Sequence, residues 1–287
     1  MIIGCNGQVG HCLAAQLTGK ADILAVDRNE LDITDATQVE IQVKAFKPDF
    51  ILNAAAHTAV DKAEDEIEAS WKINADGPKF LAIAAQAIGA VLVHISTDYV
   101  FDGEGDGAYT EEMKTAPKGV YGSSKLAGEE AVAANASKYL ILRTAWVFGE
   151  HGNNFVKTML RLAEMHKELN VVADQWGGPT YAGDIASAII SMISQIDSGK
   201  VPEWGIYHYS GAPHTNWADF ARAIFASALQ HQCLKNIPQV HSIPSSAYPT
   251  RAKRPSNSRL NCQKIDRQFG IKPSDWRTAL KNIKEYK

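Results

Sequence analysis

The chain has 287 residues, 45% of them hydrophobic and 21% charged, enough to bury one large core or two modest ones. Its net charge of −3 lacks the basic excess of nucleic-acid binders, so no nucleic-acid partner is expected. Cys5, Cys12, Cys233 and Cys262 form no C-x-x-C, and the most apolar stretch, 80–93, is interrupted by Gln86 and Gly89. With no leader-like start and no bilayer-length run, a reduced, cytoplasmic protein without a membrane partner is expected.

In chain order, Ile2-Ile3 reads as a short strand that runs into Gly4-x-x-Gly7-x-x-Gly10, and Val9–Leu17 as the helix that follows. Glycines at such a turn allow close backbone approach to a pyrophosphate held at the helix N-terminus; a tight turn without ligand is the rival reading. A second strand, Ile23–Asp27, ends on an acidic residue 17 positions after Gly10, near where a carboxylate meets an adenosine ribose. Arg28 beside it could instead pair with a 2′-phosphate, so NAD and NADP both stay open. Asp32, followed by Ile33, could reach the adenine amino group or act as a turn cap.

A helix over Asp35–Phe46 leads to a strand, Asp49–Asn53, and then to Ala54-Ala55-Ala56-His57-Thr58. Three small residues let the backbone pass close to a flat cofactor, with His57 and Thr58 as hydrogen-bonding neighbours. Glu64–Ala87 reads as a helix with a break near Gly77-Pro78. The strand Val91–Thr97 ends in Ser96-Thr97-Asp98, where a hydroxyl could share the proton of a carbonyl oxygen; strand-end capping is the plainer alternative.

Ser123–Asn135 reads as a helix, and about its start Tyr121 and Lys125 stand four residues apart, a spacing that on a helix puts both on one face. A lysine ammonium beside a phenol is expected to lower the tyrosine pKa and make it a proton donor and acceptor near neutral pH. A further strand spans Tyr139–Val147. Near-continuous apolar strands alternating with helices predict an α/β fold, a Rossmann-like doubly wound parallel sheet with ligands beyond the carboxyl ends of its strands.

The second half is looser, with strands at Val171–Ala173 and Ile206–Tyr209 and helices at Phe155–His166, Gly183–Ile196 and Asn216–Gln230. Ser242–Arg259 reads as an ordered loop or lid, and Asp275–Lys284 as a last helix. The expected division is a core over 1–148 and a smaller mixed lobe over 149–287, some of whose segments return to the core.

These motifs together resemble the extended short-chain dehydrogenase/reductase superfamily and, within it, the dTDP-4-dehydrorhamnose reductases. The more specific stretches are Asn53–Glu64, Ser96–Gly103, Val120–Glu129, Arg143–Phe148 and Arg254–Leu260. The resemblance implies NADPH, with NADH possible, reducing the C4 ketone of a dTDP-sugar on the route to a cell-surface polysaccharide. By position it implies Gly4, Gly7, Gln8, Val9 and Gly10 under the pyrophosphate, Asp27, Arg28, Asp32 and Ile33 around the adenosine, and Ala56, His57 and Thr58 along the nicotinamide channel. Tyr121 would give the proton, Lys125 would hold the ribose and tune that tyrosine, and Thr97 would bond the substrate oxygen. Asp98, Trp146, Asn154 and Lys157 would contact the sugar nucleotide.

The chain departs from the family at three places. The strand before Gly4 is only three residues long, and Ile95 stands where an aromatic residue often precedes Ser-Thr-Asp. Some members use Mg²⁺ at a dimer interface through a glutamate early in the first helix; Gly10-His11-Cys12-Leu13 carries no carboxylate, so no metal is assigned and a homodimer would form without it. A non-catalytic nucleotide-binding subunit and a sugar-nucleotide epimerase or dehydratase are the competing readings.

Overall fold

The computed structural model describes residues 1–286. Six parallel strands make the main sheet: β1 (Ile2–Ile3), β2 (Ala25–Val26), β3 (Phe50–Asn53), β4 (Val91–Thr97), β5 (Tyr139–Thr144) and β6 (Gly205–His208). Their spatial order is β2-β1-β3-β4-β5-β6. The chain passes from β1 outward to β2 and then crosses back to β3 on the other side of β1, so a crevice opens at the carboxyl ends of β1 and β3, the place such sheets hold ligands.

Alternation along the strands divides the core into two layers. Ile2, Leu52, Val91, Val93, Leu140 and Leu142 face helices α1 (Gln8–Leu17) and α6 (Ala182–Asp197). Ile3, Ile51, Leu92 and Ile141 face α2 (Ala36–Phe46), α3 (Gly77–Ile88) and Val132 of α4 (Val120–Asn135). A third apolar cluster lies outside the sheet, where α5 (Phe155–Met165) and α7 (Trp217–Gln230) pack with Phe148, Trp276 and Tyr286. Although late in sequence, β6 and α6 belong to the main sheet and its covering layer.

Several elements differ from the sequence reading. The long helix expected over 64–87 is Val60–Ala63, Ile67–Trp71 and a π turn at Lys72–Asp76 that runs into α3. Pro78, near the start of α3, brings no N–H to the helical ladder, and the wider turn lies just upstream of it. The strand expected over 139–147 breaks because Trp146 adopts φ +50°; Val147–Phe148 then pairs with Thr180–Tyr181. Part of the expected loop is strand, since Gln239–Ile243 runs parallel to Glu168–Val172. The final helix is only Trp276–Ala279, continued as a 3₁₀ segment to Tyr286. Among the described residues no helix is long and apolar enough to cross a membrane.

Candidate active site

Gly4 closes β1 at φ +77°, and a Cβ there would lie 2.8 Å from the Ala55 amide nitrogen, so only glycine lets the ends of β1 and β3 touch. Gly10 faces the Gly4 carbonyl so closely that any side chain would collide with it. Helix α1 begins after Gly7 with no side-chain cap and no acidic residue in its first turn. Its first amides, on Gln8, Val9 and Gly10, are ones a helix cannot bond itself, at the positive end of its dipole. That is the donor set a diphosphate requires.

At the end of β2, Asp27 accepts the Asn29 amide at 2.7 Å and the Asn6 side-chain amide, while its own N–H reaches Glu30 Oε2 at 3.0 Å. The Asn29 amide above all holds this exposed carboxyl below its ordinary range. Arg28 stands exposed beside it. Asp32 takes the plainer of its two expected roles, accepting the Thr34 amide at 2.9 Å and hydroxyl at 2.8 Å. The Ile33 side chain is buried in the core, so it can offer a ligand only backbone.

Helix α4 starts at Val120, three residues earlier than the sequence suggested, because a distant residue caps it. Glu64 Oε1 accepts the Val120 N–H at 2.9 Å, and Gly119 contributes no cap of its own. Tyr121 therefore enters the first helical turn. Both members of the pair are buried, Tyr121 at 9% and Lys125 at 1% exposure. Lys125 Nζ donates to the Ile95 carbonyl at 2.7 Å and lies 3.3 Å from His94 Nε2.

Burial pushes the Tyr121 phenol well above its ordinary pKa; the Thr97 hydroxyl partly offsets this, and Asp98 and Tyr99 add to it. The expected lowering by lysine is not what the site contains: desolvation dominates, and Lys125 is turned to His94 and the Ile95 carbonyl. Lys125 is itself pushed down to about 8 by burial, with Glu129 opposing.

The π turn brings Asn74 between two predicted segments. Its Oδ1 accepts the His57 N–H at 2.8 Å, and its Nδ2 donates to the His57 carbonyl at 3.1 Å and to Ser124 Oγ at 3.0 Å. The Ala56-His57-Thr58 backbone is thereby locked to α4. The His57 ring serves structure: Nδ1 meets Ser70 Oγ at 2.8 Å and Nε2 meets Glu66 at 3.0 Å.

Thr97 accepts the Tyr99 N–H at 3.2 Å and donates to Asp98 Oδ1 at 3.1 Å. Asp98 is buried, and desolvation pushes its carboxyl up to about 6 despite help from the Ser258 and Thr97 hydroxyls. The folded protein holds that proton more tightly than the unfolded chain, so this group costs stability as pH rises from the ordinary 3.8 toward 6. Asp98→Asn should therefore raise the melting temperature at about pH 8 and leave it unchanged at about pH 4. An equal shift at both pH values would contradict the assignment.

Beyond this strand end lies a cavity of about 460 Å³ walled by Tyr99, Trp146, Trp217, Tyr248 and Arg254. The Trp146 and Trp217 rings stack with centroids 3.5 Å apart. Arg254 Nη1 donates to Tyr99 Oη at 3.2 Å, and its guanidinium pairs with Asp61. Tyr99 meets Tyr121 edge-on at 5.4 Å, and Tyr99 and Arg254 also line the smaller pocket that contains Tyr121.

Helix α5 presents Phe155, Thr158, Met159 and Leu162 to the cavity, one stripe of its surface. Asn154 and Lys157 do not line it. Asn154 caps α5 through the Lys157 amide and donates to Gln8 Oε1 at 3.0 Å, and Lys157 Nζ donates to the Glu150 carbonyl at 2.8 Å. Asp61, Glu64, His94, Tyr99, Trp217 and Arg254 were not singled out in sequence. Asp61, Glu64, Tyr99 and Arg254 do fall inside three of the family-like stretches. Among the described residues no three His, Cys, Asp or Glu side chains gather as a metal-binding group.

The chain matches the family model described as RmlD substrate binding domain over residues 1–286. It is 49% identical to a dTDP-4-dehydrorhamnose reductase of Aggregatibacter actinomycetemcomitans, covering 100% of this chain and 98% of that protein. A crystal structure of a dTDP-4-dehydrorhamnose reductase from Clostridium acetobutylicum superposes with a TM-score of 0.90 at 40% identity, covering 98% and 96% of the two chains. That of Bacillus anthracis in complex with NADP gives a TM-score of 0.88 at 38% identity, with the same coverage. The glycine cradle, the buried Tyr121–Lys125 pair and the walled cavity sit within a match that runs the length of the chain, and the protein belongs to the RmlD substrate-binding-domain family.

Proposed function

We propose that the protein is an NAD(P)H-dependent reductase that converts dTDP-4-dehydro-β-L-rhamnose to dTDP-β-L-rhamnose. The observation that carries this is the buried, protonated Tyr121 phenol beside the Thr97 hydroxyl, one tyrosine ring away from a cavity of nucleotide-sugar size. Whole-length similarity to proteins named for this reaction supports the choice of substrate.

The glycine turn, the uncapped start of α1 and Asp27 fit a dinucleotide. A nicotinamide held there would supply hydride to the carbonyl carbon. Tyr121, held protonated by its burial, gives its proton to the developing alkoxide, and Thr97 shares that oxygen through a hydrogen bond. Lys125 in its ammonium form stabilises the phenolate that remains and would hold the cofactor ribose. Asp98 and Trp146 position the sugar. Arg254, the cation on the cavity wall, replaces Lys157 and Asn154 as the candidate for the substrate diphosphate, because neither of those lines the cavity. Division of labour between a nucleotide-binding body, 1–148, and a substrate lobe within 149–287 is part of the same proposal, as is a cytoplasmic protein acting without a metal.

NADPH is the proposed cofactor, with NADH as the alternative, since Asp27 and Arg28 point opposite ways. Arg28→Ala should raise KM for NADPH by about tenfold, the worth of one charged contact, and leave KM for NADH nearly unchanged. Equal changes for both would remove Arg28 from the specificity determinants. A buried Asp98 beside Thr97 also suits a dehydratase. Steady-state NADPH oxidation with the 4-keto sugar nucleotide, followed by product analysis, separates the two: a dehydratase would recycle its cofactor and consume none.

A further inference from the structure

His94 lies in the middle of β4, completely buried, and the reduction outlined above gives it no part. Its two ring nitrogens have partners that fix where its proton sits. Asn53 Oδ1 accepts the Ala55 N–H at 3.1 Å, so Asn53 Nδ2 is the group 3.0 Å from His94 Nδ1. An amide NH₂ can only donate. Nδ1 is therefore the acceptor, and the neutral ring carries its proton on Nε2. That nitrogen is 3.3 Å from Lys125 Nζ, whose other partner is the Ile95 carbonyl at 2.7 Å.

An ammonium has no lone pair for an incoming N–H, whereas a neutral amine has one. The imidazole, in the tautomer Asn53 imposes, thus favours the amine form of Lys125. We propose that His94 is a positioning residue which, clamped by Asn53, sets the protonation state of Lys125. The proposal rests on the reading of Tyr121 and Lys125 as the reacting pair. It goes further by assigning control of that pair to two buried residues of the neighbouring strands.

The other groups around the lysine are few. Glu129, one turn along α4, draws Lys125 toward the ammonium, but its carboxylate is shared with Arg143 of β5. Tyr121 lies one turn back and stays protonated. His94 itself is kept neutral by burial and by Lys125, well below its ordinary pKa. Lys125, pushed down to about 8, is then the group of this set that titrates just above neutrality. Its ammonium is the form that supports the phenolate, so reduction should fall as pH rises through that value.

The test is the alkaline limb of the kcat/KM profile in the wild type, His94→Gln and Asn53→Asp. Glutamine can turn its carbonyl to the ammonium. Aspartate at 53 can only accept, so His94 must donate through Nδ1 and leave Nε2 free to accept from Lys125. Both changes should move the limb upward by about one pH unit, a tenfold gain in proton affinity at Lys125. His94→Gln adds no charge, so a limb that moves in Asn53→Asp alone reflects the new carboxylate and overturns the proposal, as does a limb unmoved in both.

A second measurement needs no turnover. The ¹³Cε titration of labelled lysine, with Lys125 assigned by its loss in Lys125→Met, should show a midpoint near 8 in the wild type that rises by about one unit in His94→Gln. A midpoint unmoved in His94→Gln, or a wild-type midpoint at the ordinary lysine value of about 10.4, would overturn the proposal. Wild-type protein that consumes no NAD(P)H with the keto sugar would instead overturn the reductase reading, and the titration would still decide this one.

Discussion

Tyr121→Phe should lower kcat by about 10²–10⁴-fold while leaving dinucleotide affinity unchanged. The phenylalanine keeps the ring, its edge-on contact with Tyr99 and the first turn of α4, and it removes only the hydroxyl. With the proton source gone, the alkoxide formed by hydride delivery has only Thr97 to meet it. Burial places the phenol far above neutrality, so the donor is fully loaded over the working range and its loss is felt at every pH. Stopped-flow NADPH oxidation, with cofactor binding read by fluorescence, checks both halves. Near-normal turnover would remove Tyr121 from the mechanism.

Glu129→Gln should destabilise the protein by about 3–5 kcal/mol, because it strands a buried guanidinium. Arg143 bonds Glu129 through Nε at 2.9 Å and Nη2 at 2.6 Å, with side chains 2% and 3% exposed. Phe101 covers one face of the guanidinium at 5.0 Å, so water cannot easily replace the lost carboxylate. The same carboxylate raises the Lys125 pKa, so the alkaline limb of activity should also move down in this variant. Urea unfolding measures the first effect and the pH profile the second. A variant as stable as the wild type would show that the pair is not closed to solvent.

How much of the site was legible depended on how local each cause was. The glycine turn and the Tyr121/Lys125 spacing are set by neighbours within a few residues, and both appear where the sequence put them. The start of α4 did not, because its cap comes from Glu64, and the extra residues include Tyr121 itself. Pair logic also gave the wrong direction for the Tyr121 pKa. It counted the lysine and left out burial, which dominates.

Asn154 and Lys157 show a different limit. A motif names positions, but which side of α5 faces the cavity follows from the packing of Phe155, Met159 and Leu162, and Lys157 falls on another side. The strand at Gln239–Ile243 pairs with one about 70 positions earlier, across all of α7, and no local pattern announces that register. Arg254 lay in a recognised stretch, yet its partners, Asp61 and Tyr99, come from the other end of the chain.

The decisive measurement is NADPH consumption by the wild-type protein with dTDP-4-dehydrorhamnose generated in situ, with the product resolved by chromatography. Stoichiometric oxidation of NADPH to yield dTDP-rhamnose is the predicted result. Tight nucleotide binding with no net oxidation, or a product that retains the ketone, would contradict it.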